Sequence, residues 1–299
     1  MEQSSDLTRG SALPDIKQVQ QEARTRAVPY AWLYTFPWWA LILAVVGIWV
    51  FASIAADDLY SSIFDDLREG IALTLRVSFL AYGLALVIGL MVGIIRSSLP
   101  KPRTGIGGNI IGFFHVLLYN LATLFVEIVR GLPILIVLLI AAFIIVPAIN
   151  DQVQAIWGIP RLWRGSSWQT ATLALGLAYG AFLSEVFRAG IQSIGKGQVE
   201  AARSLGMTYV QTMRYVVLPQ AVRRIVPPLG NDFIAMIKDS SLVAILAIPD
   251  IAHIAKTTSG SNFQYVPTYL TVAVLYLTMT ILGSLLVRLV ETLLQTRER

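Results

Sequence analysis

A chain of 299 residues that is 56% hydrophobic and only 14% charged departs from soluble globular composition, where about a quarter of residues are charged, and reads as a polytopic membrane protein. The absence of cysteine excludes disulfide and thiolate chemistry, and two histidines, His115 and His253, make no metal site without carboxylate help. The net charge of +5 is scattered over loops between apolar runs, a distribution that suits membrane orientation rather than nucleic-acid binding.

In chain order, residues 1–36 are polar, mix four acidic with four basic side chains and lack apolar periodicity, so they read as a flexible tail. Residues 38–55 are apolar for 18 positions, enough for about 27 Å of helix, and Tyr34, Phe36, Trp38 and Trp39 give one end an aromatic belt. The stretch reads as a first span rather than a cleaved signal, because the polar tail precedes it. Asp57, Asp58, Asp65, Asp66 and Glu69 against Arg68 then suggest an outer loop over 56–70. Residues 71–95 are the second predicted span, with Gly89 and Gly93 offering a small-residue packing face. Arg96, Lys101 and Arg103 with Pro100 and Pro102 form a basic loop.

Residues 109–130 are moderately apolar but interrupted by His115, Asn120 and Glu127, which predicts an interfacial helix rather than a span. After the break at Arg130-Gly131-Leu132-Pro133, residues 134–149 form the next predicted crossing. A loop over 150–168 combines Trp157, Trp163 and Trp168 with Arg161 and Arg164, a composition of the membrane interface. Residues 169–187, with Gly176 and Gly180 for packing, are the fourth crossing; residues 225–248 and 269–290 are the fifth and sixth. Pro227 and Pro228 are placed in the first turn of the fifth helix, where a missing N–H costs little. The expected fold is all-α with six transmembrane helices, one extra N-terminal span plus a five-helix core. It divides into the tail (1–36), the extra span and outer loop (37–66), and a membrane domain (67–299).

Between the fourth and fifth crossings lies a polar segment, 198–219. Gln198 to Leu205 reads as a two-turn helix that Gly206 ends in a left-handed conformation; a second helix starts near Thr208 and stops before Pro219. Ala201 and Ala202 leave room for another protein's surface, while Glu200 and Arg203 can pair at i,i+3. Glu200-Ala201-Ala202, Gly206 and Leu218-Pro219 resemble the EAA loop of ABC importer permeases. The flanking residues 185–194 and Lys238-Asp239-Ser240-Ser241-Leu242 are similar to the polar amino acid uptake branch. The resemblance spans about residues 67–290, with the loop itself at 190–223. Two positions depart from the family: Leu132 stands where Thr is usual and lacks whatever its hydroxyl contributes, and Gly195 stands where Pro is usual, so the entry to the loop is expected to be looser.

The resemblance implies a permease subunit of an ATP-driven ABC importer for polar or charged amino acids. It also implies ATP-binding cassette ATPase subunits docked at Glu200, Ala201, Ala202, Arg203, Gly206, Leu218 and Pro219, a second permease subunit, identical or not, and an extracytoplasmic substrate-binding protein. The chain itself would be no enzyme and bind no cofactor, ATP and magnesium residing on the partner. Gly190 to Gly197 is a near miss for a phosphate-binding loop: Gly197 replaces the magnesium-ligating hydroxyl, and a span-length helix rather than a strand precedes it.

Polar residues inside the fifth apolar run mark the predicted substrate path: Asn231, Lys238, Asp239, Ser240 and Ser241, with Arg76 and Glu185 nearer the ends of their runs. Asn231 and Lys238, like Asp232 and Asp239, are seven residues apart and share a helical stripe. The alternative is that Lys238 pairs with Asp239 or Asp232 only to hold helices together. Seventeen lysines and arginines fall on the side of the tail, the loop and helix over 96–130, the 188–224 segment and the C-terminal end, against four on the other. That places both termini and the polar loop in the cytoplasm, and the resemblance implies a bacterial inner (plasma) membrane. Two rivals stand beside this reading: a secondary amino acid transporter not coupled to ATP, which would need inverted repeats, and a membrane scaffold without transport.

Overall fold

A computed structural model describes residues 38–100, 106–160 and 162–295. The predicted tail, Lys101, Arg103 and Arg161 lie outside the described residues. Every regular element among the described residues is helical, in keeping with the all-α expectation. The apolar helix α1, Trp38–Ala56, contains the boundary between two compact units, which falls between Trp49 and Val50. The second unit holds the remaining helices.

Helix α2, Asp58–Ser97, is 40 residues long, about 60 Å and twice the thickness of a bilayer core. The predicted outer loop over 56–70 is thus a correction: its acidic residues ride on a helix. Asp57 caps that helix by accepting from Leu59 N at 2.8 Å. Ile63 and Leu67, at i,i+4, are buried against Ile251 and Ala255, so tertiary packing overrides the loop-like composition.

Helix α3, Ile106–Gly131, corrects a second expectation: residues Ile110–Gly131 are long and apolar enough to cross a membrane. The side chain of Asn120, which made the run look interrupted, donates back to Val116 O at 2.9 Å, so its amide is satisfied within its own helix. Helix α4, Ile134–Trp157, passes through a π turn at Ala141–Ile145 and outlasts its predicted end at 149. Helix α5, Trp168–Gln192, is the central one. A Cβ at Gly89 would come 2.7 Å from the Leu183 Cβ, and one at Gly176 2.7 Å from a Leu84 methyl. The two glycine pairs let α2 and α5 pack backbone to backbone, the close approach on which helix association in lipid depends.

Helix α6, Lys196–Ser204, is followed by α7, which runs over 209–239 as Tyr209–Thr212, a π turn at Met213–Val217, and Leu218–Asp239. The helix therefore does not stop before Pro219, nor does the next begin at Pro227. Both π turns end two residues before a proline, at Pro147 and at Pro219. The wider turn relieves the clash between the proline ring and the carbonyl four residues back. Pro227 and Pro228 are interior. The chain then tightens into a 3-10 turn, Ser240–Leu246, ended by Ala247 at φ 54°. Helix α8, Ile251–Asn262, and the long α9, Tyr265–Gln295, complete the second unit.

Five described helices are long and apolar enough to span: α2, α3, α4, α5 and α9, with Ala44–Ser53 of α1 as a shorter apolar helix. The predicted fifth crossing, 225–248, is absent from this set. Its helix ends at Asp239, where the hydroxyls of Ser240 and Ser241 donate to the carbonyls of Ile237 and Lys238, each at 2.7 Å. Leu138, Leu175, Leu183 and Met236, all buried, form the centre of the largest core cluster.

Candidate functional site: an exposed helical loop and a polar helix end

The loop between α5 and α7 is built on an apolar footing. Ile194, Val217, Ala221 and Ile225 form a buried cluster with Val186, Phe187, Val199 and Met213 packed around it. A Cβ at Gly190 would stand 2.1 Å from an Ile225 side-chain carbon, so only glycine lets α7 approach α5 here. Arg224 Nη1 donates to Ser193 O at 2.5 Å and closes the base.

From this footing α6 projects. Gly195, at φ −58° and ψ 139°, precedes it in a backbone conformation that proline could also adopt. At its far end Gly206 has φ +78°. Gly206 N donates to Arg203 O at 2.9 Å and Met207 N to Ala202 O at 3.2 Å, the paired bonds of a Schellman motif. Thr208 then starts α7 with a capping box: its N donates to Gln211 Oε1 at 2.8 Å and its hydroxyl accepts from Gln211 N at 3.3 Å.

Among the predicted docking residues, Glu200, Ala201, Arg203, Gly206, Leu218 and Pro219 are exposed, whereas Ala202 is buried under the loop. Ala202 thus anchors α6 to its own chain and is not part of an outward surface. Glu200 and Arg203 form no ion pair, a correction to the sequence expectation; two solvated side chains gain little by pairing in water. Leu205, Tyr209 and Val210, which sequence reasoning passed over, are 83%, 63% and 70% exposed around the turn. Their apolar character in a polar segment was the available signal.

The polar stripe of α7 separates into two faces. Asn231 and Lys238 are exposed, while Asp232 and Asp239 are half-buried. Asp239 Oδ2 accepts from the hydroxyl of Tyr179, a buried residue of α5, at 2.7 Å. Lys238 makes no ion pair among the described residues, so the sequence alternative of a Lys238–Asp239 or Lys238–Asp232 pair is not formed. Ser240 and Ser241 spend their hydroxyl protons on the helix end.

Arg76 and Glu185 lie away from this stripe and from each other. The Arg76 guanidinium sits 3.9 Å from the ring centre of Trp168, at the start of α5. Glu185 is seventeen residues further along that helix, about 25 Å away. Its carboxylate accepts from Arg96 Nη1 and, at 2.6 and 2.8 Å, from Arg188 Nη2 and Nε, with Arg130 at 3.8 Å. Three arginines from α2, α3 and α5 thus converge on one carboxylate, tying three helix ends together.

The family model for the binding-protein-dependent transport system inner membrane component matches residues 105–297. The chain belongs to this family. The permease is 34% identical over 239 residues to the probable glutamine ABC transporter permease protein GlnM of Bacillus subtilis (strain 168), covering 79% of this chain and 97% of that one. It is 33% identical over 225 residues to the glutamine transport system permease protein GlnP of Escherichia coli (strain K12), covering 75% and 91%. Among solved structures it resembles a crystal structure of an amino acid ABC transporter with histidines, at 31% identity and a TM-score of 0.61, over 78% of this chain and 95% of that one. Residues before 105 that complete the permease's central packing, notably those of α2, lie outside the family match but inside the fold.

Proposed function

We propose that this permease is the membrane subunit of an ATP-driven importer of polar amino acids, with glutamine as the leading candidate because both GlnM and GlnP are named for it. The observation that carries the reading is the outward loop. A short helix ended by Gly206 presents exposed Leu205, Tyr209 and Val210 beside Glu200, Ala201 and Arg203. Exposed apolar side chains on a rigid polar projection fit a protein groove better than water.

In this reading a separate cytoplasmic ATPase grips the loop and hydrolyses ATP. A second permease subunit closes the path, and a binding protein delivers substrate from outside. The charge asymmetry of the sequence orients both termini and the loop to the cytoplasm. Asn231 and Lys238, exposed on one stripe of α7, line the path, with Asp239 held beside them by Tyr179. Glu185 and Arg76 act at its two ends. Affinity purification of the tagged permease from its native membranes tests the assembly. An ATPase subunit is expected to co-purify; a permease that purifies alone under conditions preserving other membrane complexes would count against it.

A further inference from the structure

Asp232, two turns before the end of α7, is half-buried, yet among the described residues nothing donates to its carboxylate and no cation pairs with it. Both of its oxygens remain open to solvent. Its polar neighbours are the phenols of Tyr82 on α2 and Tyr179 on α5, each near enough to interact with its charge. Both phenol protons are engaged elsewhere: Tyr82 donates to Leu229 O at 2.6 Å and Tyr179 to Asp239 Oδ2 at 2.7 Å. Tyr82 lies fifteen residues before the end of α2 and Tyr179 eleven after the start of α5, about 22 and 16 Å along those helices. The undescribed residues 101–105 and 161, beyond those ends, stand well away.

The carboxylate is therefore at the level of two spanning helices, α2 and α5, where an ionised group calls for a counter-charge or a watery path. Around α7 it points about 100° from the exposed Asn231, on the side of Asp239. Pro228, one turn earlier on the same face, lines a cavity of about 440 Å³ between α5 and α7, together with Gly190, Ser193 and Arg224. Asp232 thus stands one turn beyond an open cleft, at the edge of the stripe that carries Asn231 and Lys238.

We propose that Asp232 receives the ammonium of the substrate, so that the path itself selects α-amino acids with a free amino group. The inference rests on the importer reading above and adds a residue and a selectivity to it. The ammonium donates to the Asp232 carboxylate in a charge-assisted hydrogen bond, and Asp239, held by Tyr179, adds a second negative charge two turns along. Asn231 and Lys238, on the neighbouring stripe, are left for the substrate's carboxylate. A substrate without the ammonium would leave Asp232 desolvated and unpartnered, which is how a polar site rejects an analogue lacking the group it binds.

The test compares glutamine with glutaramic acid, the same molecule with hydrogen in place of the ammonium, by calorimetric titration into the detergent-purified permease complex without binding protein. Saturable glutamine binding is expected, weakened at least tenfold in Asp232→Asn and largely kept in Asp232→Glu. Glutaramic acid should bind wild type at least tenfold more weakly than glutamine, and no more weakly still in Asp232→Asn. Two ligands on one variant separate lost recognition from a damaged fold, which would weaken both alike. Equal losses for both, as a purely structural role or a cation from the second permease subunit would give, would overturn the inference. So would unchanged glutamine affinity in Asp232→Asn, or no saturable glutamine binding to wild type. The importer reading fails by a different result: no ATP-driven uptake of glutamine, glutamate or arginine by the wild-type complex with its binding protein, in which case the Asp232 assignment falls with it.

Discussion

Lys238 stands exposed at the end of α7 while its sequence neighbour Asp239 turns inward to Tyr179. Adjacent residues on a helix point about 100° apart, so the two charges serve different surroundings. An ammonium with no ion-pair partner among the described residues, at a polar helix end within a membrane protein, favours a watery path over lipid. Lys238→Met should cut amino acid uptake by tenfold or more while leaving ATPase co-purification intact. Restored uptake in a Lys238→Met, Asp239→Asn double variant would show that the two charges merely compensate each other. Asp250, in the turn before α8, gives a pH prediction. It is fully buried, caps α8 by accepting from His253 N at 2.8 Å, and lies 3.4 Å from the Tyr276 hydroxyl. Burial pushes its carboxyl up to about 6, above the ordinary value near 4 of the unfolded chain. The ionised form therefore costs the folded state roughly 2 to 3 kcal/mol above pH 6, and that cost is relieved as pH falls from about 6 towards 4. Asp250→Asn retains the cap and removes the cost. Thermal melts should show the variant more stable than wild type at pH 7.5, with the gap about halved at pH 5 and closing near pH 4; a gap independent of pH would refute the assignment.

At the scale of elements, the loop between α5 and α7 depends on Gly206. Its positive φ, paired bonds to Arg203 and Ala202, and the capping box of Thr208 fix the angle between α6 and α7. Gly206→Val strains that turn by roughly 1 to 2 kcal/mol or more. Expression at wild-type level with at least tenfold loss of transport is expected; unchanged uptake would separate the loop from coupling. The turn was legible in the sequence because its determinants are local: Gly206 to end one helix and Thr208 to start the next. The partners of Glu185 and Asp239 were not, since each bond joins different helices, with Arg96 lying 89 residues from Glu185 and Tyr179 60 residues from Asp239. Proline misled the reading at Pro219 and Pro227, because a π turn before Pro219 lets the helix continue through a residue that usually ends it. Acidic composition hid the outer part of α2, although Ile63 and Leu67 already carried the helical spacing of a buried stripe.

Across the molecule, the glycine contacts of α2 and α5 and the convergence of Arg96, Arg130 and Arg188 on Glu185 bind the membrane helices into one frame. The loop rises from that frame on the cluster around Ile194 and Ile225. The contacts under α6 thus continue through Gly190 and Ile225 to α5 and α7, the two helices joined by the Tyr179–Asp239 bond. Such a connection has a purpose if the motor is a separate protein on the loop side. A secondary transporter would draw instead on an ion gradient and need no docking loop. The direct measurement is uptake of labelled glutamine into proteoliposomes containing this permease with its co-purified partners and binding protein. The account predicts uptake only when ATP is supplied on the side that carries the loop, and none from an ion gradient alone. Gradient-driven uptake by the permease without an ATPase would contradict it.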